Sequence, residues 1–180
     1  MKFDLSKQRV TSPEVIHAED KTFALDSRDI DKLIKIATEN PRERSRLCVH
    51  TYVDEVVQQM FIIHKQDAYV RPHKHIKKNE AILVLSGTAD YLIFSESGEI
   101  KKCVPVGDFS SGACFFMTTA KENFHTLLIR SNWLVFLEVS EGPFVGTETV
   151  FAPWAPSDAD KDLVKIYMDQ IDAEVKSLKS

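Results

Sequence analysis

The feature that most constrains this chain is a run of short apolar segments between Arg44 and about Phe151. "DEVVQQMFIIH", "AYVRPH", "EAILVLSG", "DYLIF", "IKKCVPV", "ACFFMT", "FHTLLIR" and "WLVFLEV" are rich in Val, Ile, Phe and Tyr. Turn signals separate them, which is the pattern of strands. No helical periodicity interrupts the run, so a parallel sheet built from βαβ units is excluded. Many short strands at this spacing predict a sandwich or a barrel. "SESGE" and the "RSN" of Arg130 to Asn132 read as hairpin turns.

Helices flank the run. Ile30, Leu33, Ile34 and Ala37 fall at helical spacing between Ser27 and Asn40, and Pro41 stops that helix. Ser157 and Asp160 read as a capping box opening a second helix. Its apolar stripe is Leu163, Ile166, Tyr167, Ile171, Val175 and Leu178, expected to pack on the barrel or on a second subunit. The first dozen residues are polar and read as loose. The expected division is residues 1–43 as an N-terminal segment and helix, 44–156 as the β-barrel, and 157–180 as a C-terminal helix.

Bulk properties narrow the class. With 180 residues, 43% of them hydrophobic and 28% charged, the chain suits one globular domain with a real core. A net charge of −4 supplies no basic field for nucleic acid. No apolar run has the length of a membrane span, and the first residues lack the apolar stretch of a signal peptide, so the expected address is cytoplasmic. Cys48, Cys103 and Cys114 show no paired spacing and read as reduced thiols, neither a disulfide framework nor a thiolate metal set.

The chemistry concentrates in "RPHKHIKKNE", Arg71 to Glu80. On a strand, side chains alternate between faces, so Tyr69, Arg71, His73 and His75 share one face. Imidazoles two residues apart, about 6.6 Å along a strand, can converge on one ion. Glu80 opens the next strand after the polar turn "IKKN", and Gly87 closes it where a bend needs a small residue. Pro72 removes a ladder donor and suits an edge or a bulge. His125 is the only histidine downstream of Glu80 and is the candidate fourth ligand. Three imidazoles and a carboxylate suit Fe, Mn, Zn, Ni or Cu, with open positions for water or substrate. The bland alternative is a solvated turn with incidental histidines.

Arg44, Arg46, Cys48 and His50 share parity, so one strand face would present two guanidiniums and an imidazole. With Arg71 they could hold a carboxylate or the phosphates of a nucleotide sugar; otherwise Arg44 and Arg46 are surface residues. Tyr69 and His50 are the candidate acid–base groups, against barrel packing and a satisfied core histidine respectively. His17 and His64 read as ordinary surface or core residues. Trp133 and Trp154 read as packing, and the stiff "FAPWAP" segment as a cap on one end of the barrel.

The pattern H-x-H-x4-E-x6-G at His73, His75, Glu80 and Gly87 resembles the first cupin motif. Of the second motif, Gly107 and His125 are present and the Pro-x-Gly is missing. "RERSRLCVH", "YVRPHKH", "EGPF" and "FAPWAP" resemble the signature of the WbuC family of cupin-fold metalloproteins, from about Arg44 to Asp158. The resemblance implies a mainly β cupin (double-stranded β-helix, or jelly-roll) barrel holding one divalent transition metal, Fe, Zn, Mn or Ni. It also implies a bacterial setting linked to O-antigen and surface polysaccharide synthesis. Many cupins pair, so a homodimer is expected. The expected partner is a small anionic or sugar-derived molecule, with no nucleic acid and no membrane. Three uses of the metal stay open: a sugar isomerase or epimerase or an iron dioxygenase, a binding module without turnover, and a purely structural ion.

Overall fold

The structure, a computed structural model, describes residues 2–179. Twelve strands form two sheets. The first sheet contains β1 (Arg9–Ser12), β2 (Val15–His17), β3 (Arg44–Cys48), β4 (Val57–Lys65), β6 (Glu80–Ser86), β9 (Phe116–Thr119) and β11 (Trp133–Glu141). Its spatial order is β1-β2-β3-β4-β11-β6-β9. The second sheet contains β5 (His73–His75), β7 (Thr88–Phe94), β8 (Ile100–Gly107), β10 (Phe124–Ile129) and β12 (Thr149–Phe151), in the order β12-β5-β10-β7-β8. From β4 onward the chain passes repeatedly from one sheet to the other. Among the described residues no named strand of one sheet pairs with one of the other, so of the two expected forms, sandwich or barrel, the chain takes the two-sheet sandwich.

Helix α1 (Ser27–Glu39) covers the outside of the first sheet, where Leu33 and Ala37 pack with Leu47, Ile63 and Val135. Asp26 caps it and exchanges bonds with Asp29 in a capping box. Helix α2 (Lys161–Lys179) covers the outside of the second sheet, where Ile171 and Val175 pack with Leu92, Phe94 and Leu128. The inner core lies between the sheets and includes Ile62, Ile82, Val84, Ile129, Leu134 and Phe136. The result is four layers, helix, sheet, sheet, helix.

Several local expectations need correction. The first dozen residues are not loose where they are described: from residue 2 on, a 3-10 turn at Leu5–Lys7 leads into β1, and Phe3 is buried. Because β1 and β2 extend the first sheet, the sandwich begins well before Arg44. "AYVRPH" is not a strand, since Pro72 has no N–H to donate and pairing begins only at His73. "RSN" is a crossover between sheets, because β10 and β11 lie in different ones. Ser157 does not cap α2; Asp160 does, accepting from the Leu163 backbone N–H at 3.1 Å. Of the expected stripe, Leu163, Ile166 and Leu178 are exposed. Gly87, between β6 and β7, does need to be glycine: its φ is +88°, and a Cβ would fall 2.2 Å from the Trp133 carbonyl oxygen.

One buried charge ties α2 to the sandwich. Asp90 in β7 accepts from Arg130 Nε at 2.7 Å and from Lys179 Nζ at 2.6 Å, and Arg130 also pairs with Asp172 of α2. Asp90→Ala is expected to lower stability by about 3 kcal/mol, because a half-buried guanidinium loses its innermost partner. Urea unfolding measures this, and an unchanged midpoint would refute the account.

Candidate metal centre

Strand alternation places the site. On β10, His125, Leu127 and Ile129 share the inward face; on β6, Glu80, Ile82 and Val84 do. Along both strands the inward face passes from a polar end to the apolar core. Register then aligns the polar ends. His125 pairs with His73 across β10 and β5, His75 follows on β5, and Glu80 faces them from the opposite sheet. His125 Nε2 lies 2.7 Å from Glu80 Oε1, and His75 Nε2 lies 3.0 Å from Oε2. The ligand atoms of His73, His75 and His125 lie within 4.8 Å of one another.

The ring orientations are held from behind. His73 Nδ1 lies 2.9 Å from the Arg71 carbonyl oxygen, and His125 Nδ1 lies 2.9 Å from that of Asn123. A carbonyl only accepts, so both Nδ1 atoms carry the proton and both Nε2 lone pairs point inward. His75 Nδ1 meets Thr149 Oγ1 at 3.2 Å. Such partners behind a ligand fix its tautomer and aim. His125 Nε2 is buried yet has no aligned hydrogen-bond partner among the described residues, despite its closeness to Glu80. A cation between them satisfies both groups, so the donor set fits a transition-metal ion.

Electrostatics agree with this arrangement. Burial, with the His125 imidazole beside it, pushes His73 down to about 3, which keeps it neutral. Burial opposes ionisation of Glu80, but His125 and His75 outweigh it and hold the carboxyl well below the usual range. Burial would lower His125, and Glu80 raises it instead. Tyr91 anchors the carboxylate: its hydroxyl donates to Glu80 Oε1 at 3.3 Å and accepts from Thr119 Oγ1 at 2.7 Å.

The centre opens onto a cavity of about 580 Å³ between the sheets. Arg44, Arg46, Cys48 and His50 all line it, as their shared parity requires. Their availability differs. Arg44 Nε is paired with Glu14 at 2.8 Å. Arg46 has no carboxylate partner among the described residues and touches Met60 Sδ at 3.6 Å. Arg71 lines the cavity while its guanidinium donates to the Ala152 and Ala155 carbonyls and lies over the Phe151 ring. His50 Nδ1 is engaged by the Gln59 backbone.

Tyr69 stands apart from this group. Its hydroxyl donates to the Pro156 carbonyl at 3.0 Å, its ring packs on Tyr167 of α2, and burial raises its pKa. The absence of a strand through Tyr69 removes the alternation that would have turned it inward. Sequence reasoning missed Glu138. It sits on β11 with the parity of Leu134 and Phe136 and lines the cavity. A charged residue at an inward position of an apolar strand was the available signal.

A family model described as a domain of unknown function (DUF6016) matches residues 25–105. No curated protein matches. Among solved structures the chain is similar to an oxalate decarboxylase from Bacillus subtilis, with 21% identity over 60% of this chain and 27% of that one and a TM-score of 0.47. It is similar to the capsular polysaccharide assembling protein CapF from Staphylococcus aureus, with 17% identity over 54% of this chain and 27% of that one and a TM-score of 0.45. A protein from Shewanella oneidensis shows 9% identity over 54% of this chain and 63% of that one, with a TM-score of 0.47. The chain spans less than two thirds of each of these proteins.

Proposed function

We propose that this chain is a metal-binding cupin of the WbuC type that receives a small anionic, sugar-derived ligand beside the metal. The observation that carries the reading is the convergence of three imidazoles whose ligand atoms lie within 4.8 Å of one another, two of them (His75 and His125) against the buried Glu80 carboxylate. His73, His75, Glu80 and His125 would hold the ion, which would supply Lewis acidity to a bound oxygen of the ligand. Iron, zinc, manganese and nickel all suit the donor set. Arg46 offers the unpaired guanidinium for a carboxylate or phosphate, and Arg71 adds a second cation at the cavity wall. The link to O-antigen and surface polysaccharide synthesis follows from the WbuC-like motifs and belongs to this proposal.

Glu138 takes the proton-carrying role first read for Tyr69. Burial, with the Glu80 charge behind it, pushes its carboxyl up to about 7, so it can hold or release a proton near neutrality. Its position in the cavity supports an acid–base step on the ligand more than a purely structural metal.

Metal analysis tests the centre. The double variant His73→Ala/His75→Ala is expected to carry about one equivalent less than the wild type when both are purified without added metal. Equal metal content in the two proteins would refute the assignment. Thermal-shift screening against nucleotide sugars and small carboxylates tests the cavity. Arg46→Ala should weaken binding of a hit by about tenfold or more, the scale of a lost charge-assisted bond. Unchanged affinity would remove Arg46 from the site.

Glu138 makes a pH prediction. A carboxyl whose folded pKa is raised favours folding below its unfolded value of about 4.3, and that advantage fades as pH rises to about 7. Other titratable groups contribute equally to both proteins. In chelated protein, the stability of the wild type relative to Glu138→Gln should therefore fall between about pH 4.5 and 7 and then level off. Urea melts across that range measure the difference, and a flat difference would refute it.

A further inference from the structure

A second donor cluster lies in the same cavity, apart from the four residues already described. β2 and β3 are parallel, and His17 pairs in register with Cys48. Alternation sends Ile16 and Leu47 outward to the α1 layer, and turns His17 and Cys48 toward the cavity. His50 follows two residues beyond Cys48, the same spacing as His73 and His75. The ligand atoms of His17, Cys48 and His50 lie within 4.8 Å of one another, and all three residues are buried. The His17 and His50 rings meet edge to face, with centroids 5.9 Å apart.

An independent observation points to a ligand. His17 Nδ1 is buried and has no hydrogen-bond partner among the described residues, although His17 is only 9% exposed. A buried polar atom normally has a partner, and leaving one unmade costs about 1–3 kcal/mol. His50 Nδ1 is already engaged by Gln59, which leaves its Nε2 available. Met60 is the register partner of Cys48 on β4 and lines the same cavity, so a thioether stands beside the thiol.

We propose that His17, Cys48 and His50 form a second metal site, specific for a thiophilic ion, Cu+ or Zn2+, with its open position facing the cavity. Thiolate and imidazole together select these ions over the harder ones that carboxylate-rich sets accept. Bonds of about 2.0 Å to nitrogen and about 2.3 Å to sulfur set tetrahedral donors about 3.5 Å apart. Side-chain shifts of about 1 Å bring the three donors to that spacing. The Cys48 thiol gives up its proton to the medium when the metal–sulfur bond forms. Nearby charge is compensated: Arg9 pairs with Glu19 at 2.6 Å, and Arg46 favours the thiolate. Burial raises the Cys48 pKa and lowers those of His17 and His50, which keeps the metal-free cluster uncharged.

Cobalt substitution separates this site from the first. Co2+ bound by a thiolate gives a near-ultraviolet sulfur-to-metal charge-transfer band, which an imidazole and carboxylate set cannot give. The full chain carrying His73→Ala/His75→Ala should keep the band. Cys48→Ser and His17→Gln should each abolish or sharply weaken it, with wild-type far-ultraviolet circular dichroism as the check on folding. In metal titrations the Cys48→Ser protein should bind one equivalent less Zn2+ or Cu+ than the wild type. Direct competition between Zn2+ and Cu+, each buffered by a chelator, identifies the preferred ion. A wild type without the band, or a Cys48→Ser protein of undiminished capacity, would overturn the proposal whatever the first site does.

Discussion

A carboxylate in a protein interior has to be neutralised or matched, and the inner architecture follows from how Glu80 is matched. Its two oxygens face His125 and His75 at 2.7 and 3.0 Å, and a tyrosine hydroxyl steadies it. The three histidines come from the opposite sheet, so the cluster forms only when the two sheets are correctly stacked and registered. The apolar half of the inner core supplies that stacking, and α1 and α2 seal the outer faces. Separating Glu80 from its imidazoles would leave an uncompensated buried charge, which costs several kcal/mol. The site is therefore also a test of correct assembly.

The strand run, both helices and the shared face of His73 and His75 were legible because each rests on local periodicity. Period-two alternation put His73 and His75 on one face, and it put Arg44, Arg46, Cys48 and His50 on another. What remained hidden depends on which strands become neighbours. β1 and β2 are short, and "RVTS" contains one strongly apolar residue, so nothing local marks them as sheet. Tyr69 was misplaced because alternation was extended back through Pro72, where no ladder exists. The exposed Leu163, Ile166 and Leu178 illustrate the same limit: helical spacing defines a stripe, but the sheet beneath α2 decides how much of it is covered.

His17 illustrates the point from the other direction. By itself it is one histidine in a short, mostly apolar strand, and an ordinary core role was the reasonable expectation. Its significance comes from a parallel pairing that joins residues 31 positions apart in sequence, His17 with Cys48. Cysteine spacing rules look for donors close together in sequence, so a set assembled across a sheet escapes them. The C-x-H of Cys48 and His50 was the visible part, and the missing third donor lay on an unrecognised strand.

Arg44 and Arg46 show why facing a cavity is not the same as serving it. They share parity on β3 and line the same space. Glu14, in the turn between β1 and β2, binds Arg44 and also Arg42, so those two cations join the N-terminal hairpin to the sheet. Arg46 lies one alternation deeper and meets a thioether in place of a carboxylate. A guanidinium so placed raises the local potential at a cluster rich in imidazole. The pair that looked equivalent in sequence thus divides into a structural clamp and a guanidinium with no ion-pair partner among the described residues, and Glu14 makes the division. Removing Glu14 would therefore do more than loosen the hairpin: it would free the Arg44 guanidinium at the cavity wall, on the same face of β3 as Arg46, and raise the positive potential there.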